Sequence, residues 1–141
     1  MGEAENMALS SGDRVAIADV LSMHGHICDS GELDRLDEVF TADATYDLTD
    51  FGQHPLEGVR AIAAAGRALG ELNPVGHHIT NIVLTELGDG SVHARAKGIG
   101  VNADGTCASV TYEDRLLRGE EGWRIERRKV TAHRVPLGGK H

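Results

Sequence analysis

Apolar residues fall at positions 17, 20, 21, 27 and 28, the i, i+3, i+4 spacing of one helical face, and His24 lies within that stripe. The pattern predicts an amphipathic first helix with a histidine turned toward the core. After Cys28, the run Asp29-Ser30-Gly31-Glu32 has the spacing of a capping box, and Leu33, Leu36 and Phe40 then share the face of a second, shorter helix. Ala44 to Leu48 reads as a short strand. A polar loop holding Gly52 and Pro55 leads to a third helix over 58–72, which Pro74 and Gly76 end.

From His77 the period changes from helical to alternating. Four strands are expected, at 77–87, 91–101, 106–118 and 123–133, separated by Gly-rich turns such as Gly88-Asp89-Gly90. The order is ααβα followed by hairpin-linked strands, which predicts an α+β fold with a mostly antiparallel sheet. Along the second long strand one face carries only Val92, Ala94, Ala96, Gly98 and Gly100. Such small residues either let a helix pack tightly or leave open space beneath the sheet, and the pattern does not choose between them.

With 141 residues the chain is sized for one domain and one pocket, with loose ends expected at 1–12 and 135–141. The net charge of −8 argues against a nucleic-acid partner, and no apolar run is long enough to cross a bilayer. The acidic, non-hydrophobic start is not a secretory signal, so a cytoplasmic protein is expected. Cys28 and Cys107 lie in no CxxC pair and read as two small buried thiols. His24-Gly25-His26 invites a metal reading, but on a helix the two imidazoles point about 200° apart, and no other segment offers a ligand set.

Several motifs in this order resemble the SnoaL-like family of the nuclear-transport-factor-2-like superfamily. They are Asp29 after the first helix, His77-His78-Ile79-Thr80-Asn81 opening a long strand, Tyr112-Glu113-Asp114, and Gly122-Trp123-Arg124-Ile125 with Arg128. The resemblance spans roughly 13–134 and implies a cone-shaped half-barrel, a curved sheet wrapped around the N-terminal helices. It is nearest to the branch of scytalone dehydratase, bile-acid 7α-dehydratase and hexachlorocyclohexane dehydrochlorinase.

Members acting on small molecules mostly need no metal or organic cofactor, and that branch works through an Asp at the end of the first helix and a His opening the strand after the third. By resemblance these are Asp29 and His77, with His24 at the position of a polar residue five before the Asp. His77 is preferred to His78 because it stands four before Asn81, and alternation puts His77, Ile79 and Asn81 on one face. Tyr46, His78, Asn81, Tyr112 and Arg128 complete the expected substrate-binding set, although Arg128 could equally pair with a carboxylate across the strands. The strand position that holds a base in steroid isomerases is Leu48 here.

The chemistry follows from the residue types. An imidazole titrating near neutrality accepts a proton, and a carboxylate on its other nitrogen fixes the tautomer and stabilises the imidazolium. His24 or Tyr46 could then assist a leaving group. The expected activity is a cofactor-independent lyase of dehydratase type, or a related isomerase or cyclase, on a hydrophobic small molecule. The alternative is a non-catalytic binding or assembly module, because a fold does not decide a function. A homo-oligomer, dimer or trimer, is expected from the apolar residues on both faces of 79–87 and from related cones.

Overall fold

A computed structural model of the chain describes residues 9–139. The first helix, α1, runs over Ser11–Asp29, and its buried positions Ile17, Leu21, His24, Gly25 and Ile27 form the expected stripe. It starts earlier than the apolar pattern does, because Ser10 caps it: the Ser10 side chain accepts from the Asp13 N–H and Asp13 returns a bond to the Ser10 N–H. Ser11 and Gly12 are therefore helical rather than loose, and Pro136–Gly138 forms a short 3₁₀ turn. The remaining expected loose ends, 1–8 and 140–141, lie outside the described residues.

The second helix is a 3₁₀ helix, Leu33–Glu38, and its expected capping box does not form. Asp29 is still part of α1, the chain turns through Gly31 at φ +72°, and Glu32 occupies the N-cap with no side-chain bond. The Asp29 carboxylate is thereby left for another partner. The first strand, β1, is Phe40–Asp47, four residues longer at its start than expected, with Phe40 on the strand rather than on a helix. A 3₁₀ turn at Thr49–Phe51, a two-residue strand β2 (Leu56–Glu57) and helix α2 (Val59–Leu69, extended by a 3₁₀ turn at Gly70–Leu72) follow.

The long strands are β3 (Gly76–Glu86), β4 (Val92–Val101), β5 (Cys107–Gly119) and β6 (Gly122–His133). They form one six-stranded sheet in the order β2-β1-β6-β5-β4-β3, antiparallel except for β1 on β6. Register irregularities between Phe40 and Thr45, Thr80 and Val83, and Arg115 and Leu116 interrupt the ladders. Bulges bend strands and increase twist, so the sheet curves around the helices without closing. This is the expected α+β half-open cone.

The core joins α1 (Ile17, Leu21, Ile27) to β1 (Phe40, Ala44), β4 (Val92, Ala94) and β5–β6 (Leu116, Trp123, Ile125). Each such aliphatic side chain contributes about 1.5–3 kcal/mol by leaving water. The small-residue face of β4 packs tightly. Gly98 is needed there because a Cβ would collide with the Tyr112 ring of β5. Among the described residues no helix is long and apolar enough to cross a membrane.

Candidate functional site

The end of α1 and the start of β3 meet at an unusually short distance. Gly25 makes this possible, since a Cβ there would lie 2.6 Å from the His77 carbonyl oxygen. At this crossing the Asp29 carboxylate holds His77 twice. One oxygen accepts the His77 backbone N–H at 3.0 Å, and the other lies 2.7 Å from the ring Nδ1. A carboxylate accepts only, so Nδ1 carries the proton and Nε2 is left as a proton acceptor. Among the described residues nothing bonds Nε2. The side chains are 17% and 29% exposed for His77 and Asp29; His77 lines a cavity open to solvent, and Asp29 stands behind it, outside the lining.

That cavity has a volume of about 580 Å³, within the range of small-molecule sites. Its polar end is formed by His24, Cys28, Tyr46 and His77. The rest is mainly aliphatic: Leu33 and Leu36 from the 3₁₀ helix, Leu48, Phe51 and Leu56 from the segment after β1, and Ile62 and Leu69 from α2. Asn73 and Gln53 add amides. Among the described residues no Lys, Arg, Asp or Glu is in the lining.

Burial sets the protonation of the polar end. His24 is 4% exposed, with Nε2 3.6 Å from the Cys28 sulfur and Nδ1 without a partner. Desolvation first, then the Arg128 and His77 charges, hold its pKa well below 6.5, so the ring is neutral at physiological pH. Burial and the nearby Asp29 push the Cys28 thiol up to about 11, against the opposing charge of Arg128. Tyr46 is likewise kept protonated, because burial raises its phenol more than Arg128 lowers it. His24, Cys28 and Tyr46 are thus neutral groups at the polar end of the cavity.

Arg128 does not reach the cavity. It is fully buried and forms a two-pronged pair with Asp114 of β5, at 2.8 and 2.9 Å. Its guanidinium stacks 4.1 Å from the centroid of the Tyr112 ring. Asp114 outweighs desolvation and keeps Arg128 charged. Of the two roles open to Arg128, the structure realises the cross-strand pair. Tyr112, 5% exposed, is a wall residue behind the cavity lining rather than part of it.

His78 and Asn81 are both exposed and outside the cavity. Alternation holds for His77 and Ile79 but fails at Asn81, which adopts φ +55° within the β3 irregularity. Asn is among the few residues that tolerate that conformation, and the bulge turns Ile82 and Leu84 to the core instead. Hence His77, Asp29, His24 and Tyr46 come together, while His78, Asn81, Tyr112 and Arg128 do not touch the same space. His26 is exposed on the far side of α1 from His24, and among the described residues no three ligands gather for a metal. Both cysteines are free, and Cys107 is exposed rather than buried.

Sequence reasoning missed Cys28 as a cavity residue, although it lies four residues after His24 on the same helical face. It also missed Gly25, where a glycine inside a buried stripe is itself a sign of close approach.

The fold is a curved α+β cone holding an apolar cavity with a polar end near the helix terminus. The chain belongs to the SnoaL-like family, whose domain matches residues 10–129. A solved structure similar to it is a "putative aromatic ring hydroxylase" from Novosphingobium aromaticivorans, 30% identical, covering 91% of this chain and 94% of that one with a TM-score of 0.75. Two more share the fold at lower identity. A "putative scytalone dehydratase" from the same organism is 16% identical (86% and 84% covered, TM-score 0.69). ActVI-ORFA from Streptomyces coelicolor is 19% identical (86% and 98% covered, TM-score 0.72). No curated protein sequence matches the chain.

Proposed function

We propose that the protein is a cofactor-independent lyase of dehydratase type, in which His77 is the base and Asp29 its orienting partner. The observation that carries this reading is the 2.7 Å contact of His77 Nδ1 with Asp29 beside an otherwise uncharged cavity. Nε2 takes a proton from a carbon activated by a neighbouring carbonyl, and Asp29 stabilises the imidazolium that results. Tyr46 lines the cavity as a protonated phenol that hydrogen-bonds the departing hydroxyl, which leaves as water with the proton that His77 took, whereas Nδ1 of His24 is buried away from the space. The substrate is an uncharged, largely apolar molecule: Arg128 is paired with Asp114 and lies outside the lining, and among the described residues no Lys or Arg lines the cavity to receive an anion.

The supporting experiment offers a series of neutral cyclic β-hydroxy ketones and follows the rise of the conjugated enone absorbance. His77→Ala and Asp29→Asn should each lower turnover by about 10²–10⁴-fold. The double variant should be little worse than the worse single, because residues that act as a unit are not additive. Full turnover by a folded Asp29→Asn protein would remove the dyad. Saturable binding of the series with no turnover of any member would favour the non-catalytic binding module.

A further inference from the structure

The cavity contains a second chemical pair that the dyad does not use. Cys28 Sγ and His24 Nε2 are 3.6 Å apart on one face of α1, and both residues line the cavity. His24 is 4% exposed and Nδ1 has no partner, so the ring directs its only polar contact at the cavity thiol. We propose that Cys28, assisted by His24, is a covalent attachment site for uncharged α,β-unsaturated carbonyl compounds that enter the cavity.

The choice of electrophile follows from the charges. Thiol and imidazole are both neutral in this environment, and Asp29, next in the chain, opposes a standing thiolate. An alkyl halide would leave a halide ion, and a disulfide would leave a second thiolate, in a lining with no cation to receive either. Conjugate addition leaves no ion. With the His24 proton on Nδ1, Nε2 takes the proton from Cys28 as the carbon–sulfur bond forms, so that no free thiolate stands beside Asp29. The sulfur forms a bond to the carbon β to the carbonyl, the C=C pair moves to the α carbon, and the imidazolium returns the proton there. All atoms of thiol and enone are retained in the adduct. Holding the enone beside the sulfur supplies the effective concentration that a thiol of high pKa needs. This inference requires only the cavity and the pair, and stands whether or not the dyad turns a substrate over.

The test treats the full-length protein with 2-cyclohexen-1-one and, separately, with iodoacetate, and locates adducts by peptide mass mapping. Exposed Cys107 is the internal reference. Enone addition at Cys28 should saturate with concentration and be blocked by cyclohexanone, which has the same shape and no electrophilic carbon. Addition at Cys107 should stay linear and unaffected. Iodoacetate, being charged, should label Cys107 and spare Cys28 until the protein is denatured. His24→Asn should slow addition at Cys28 by about 100-fold and leave Cys107 unchanged. If that variant does not fold, saturation and competition in the wild-type protein decide. No adduct at Cys28, or a linear addition there that cyclohexanone does not slow, would overturn the proposal.

Discussion

Gly25→Ala adds one methyl group at the closest approach of α1 to β3. Within a helix this change usually stabilises by about 0.5–1 kcal/mol, because alanine loses less backbone freedom on folding. Here the new Cβ would lie 2.6 Å from the His77 carbonyl oxygen, whereas ordinary contact begins at 3.4 Å, so backbone must retreat by about 0.8 Å. No flexible side-chain end is available to yield. Overpacking of this kind costs about 1–3 kcal/mol, so the gain in helix propensity is offset and the net effect is destabilising. The same displacement acts on both bonds from Asp29 to His77, now 3.0 and 2.7 Å. Gly66→Ala is the control: its Cβ would meet Leu33 Cδ1 at 3.0 Å, the end of a side chain that can rotate. Urea denaturation should show Gly25→Ala less stable than wild type and Gly66→Ala near or above it. The His77 Nδ1–H resonance, shifted downfield by a short bond to a carboxylate, should move in the first variant only. A Gly25→Ala protein as stable as wild type with an unmoved resonance would refute the idea that this glycine sets the depth of His77.

Three further outcomes follow from the buried charges. Asp114→Ala, which leaves Arg128 buried and unpaired, should cost about 3–5 kcal/mol in urea denaturation, and Asp114→Leu with Arg128→Met together should cost less than either single change. His24 has its folded-state pKa below the unfolded value of 6.5, so the unfolded chain binds more protons as pH falls. Stability contributed by the neutral ring is therefore present above pH 6.5 and lost below it, at a slope of up to about 1.4 kcal/mol per pH unit, and His24→Asn should remove that slope. Asp29→Asn keeps an acceptor for the His77 N–H but loses the bond to Nδ1, so it should cost about 0.5–1.5 kcal/mol in the same assay, while the His77 Nδ1–H resonance loses its downfield position.

The fold was legible because the two periodicities in this chain are strong: the stripe of Ile17, Leu21 and His24, and the alternation of Val92, Ala94 and Ala96. Boundaries were less so. Asp29 and Glu32 have capping-box spacing, but a cap requires non-helical backbone at the first residue, and Asp29 is still helical. The working capping box is Ser10 with Asp13, and its N-cap lies seven positions upstream of where the apolar stripe starts. Asn81 was placed on the His77 face by alternation, which one bulge was enough to cancel. One side of the cavity comes from the segment around Leu48, Phe51 and Leu56, whose position depends on tertiary packing and leaves no periodic trace. Arg128 was legible as a residue of interest and ambiguous in role, because only the β5–β6 register brings Asp114 opposite it.

The central claim is that His77 Nε2 removes a proton from carbon inside the cavity with Asp29 behind it. It is tested most directly without knowledge of the natural substrate, by following deuterium uptake at the α carbon of 1-tetralone in heavy water by proton NMR. Wild-type protein should accelerate the exchange in a saturable manner, and folded His77→Ala should lower that acceleration by about 10²–10⁴-fold. Equal exchange by wild type and His77→Ala, with tetralone shown to bind both, would contradict the assignment of His77 as the base.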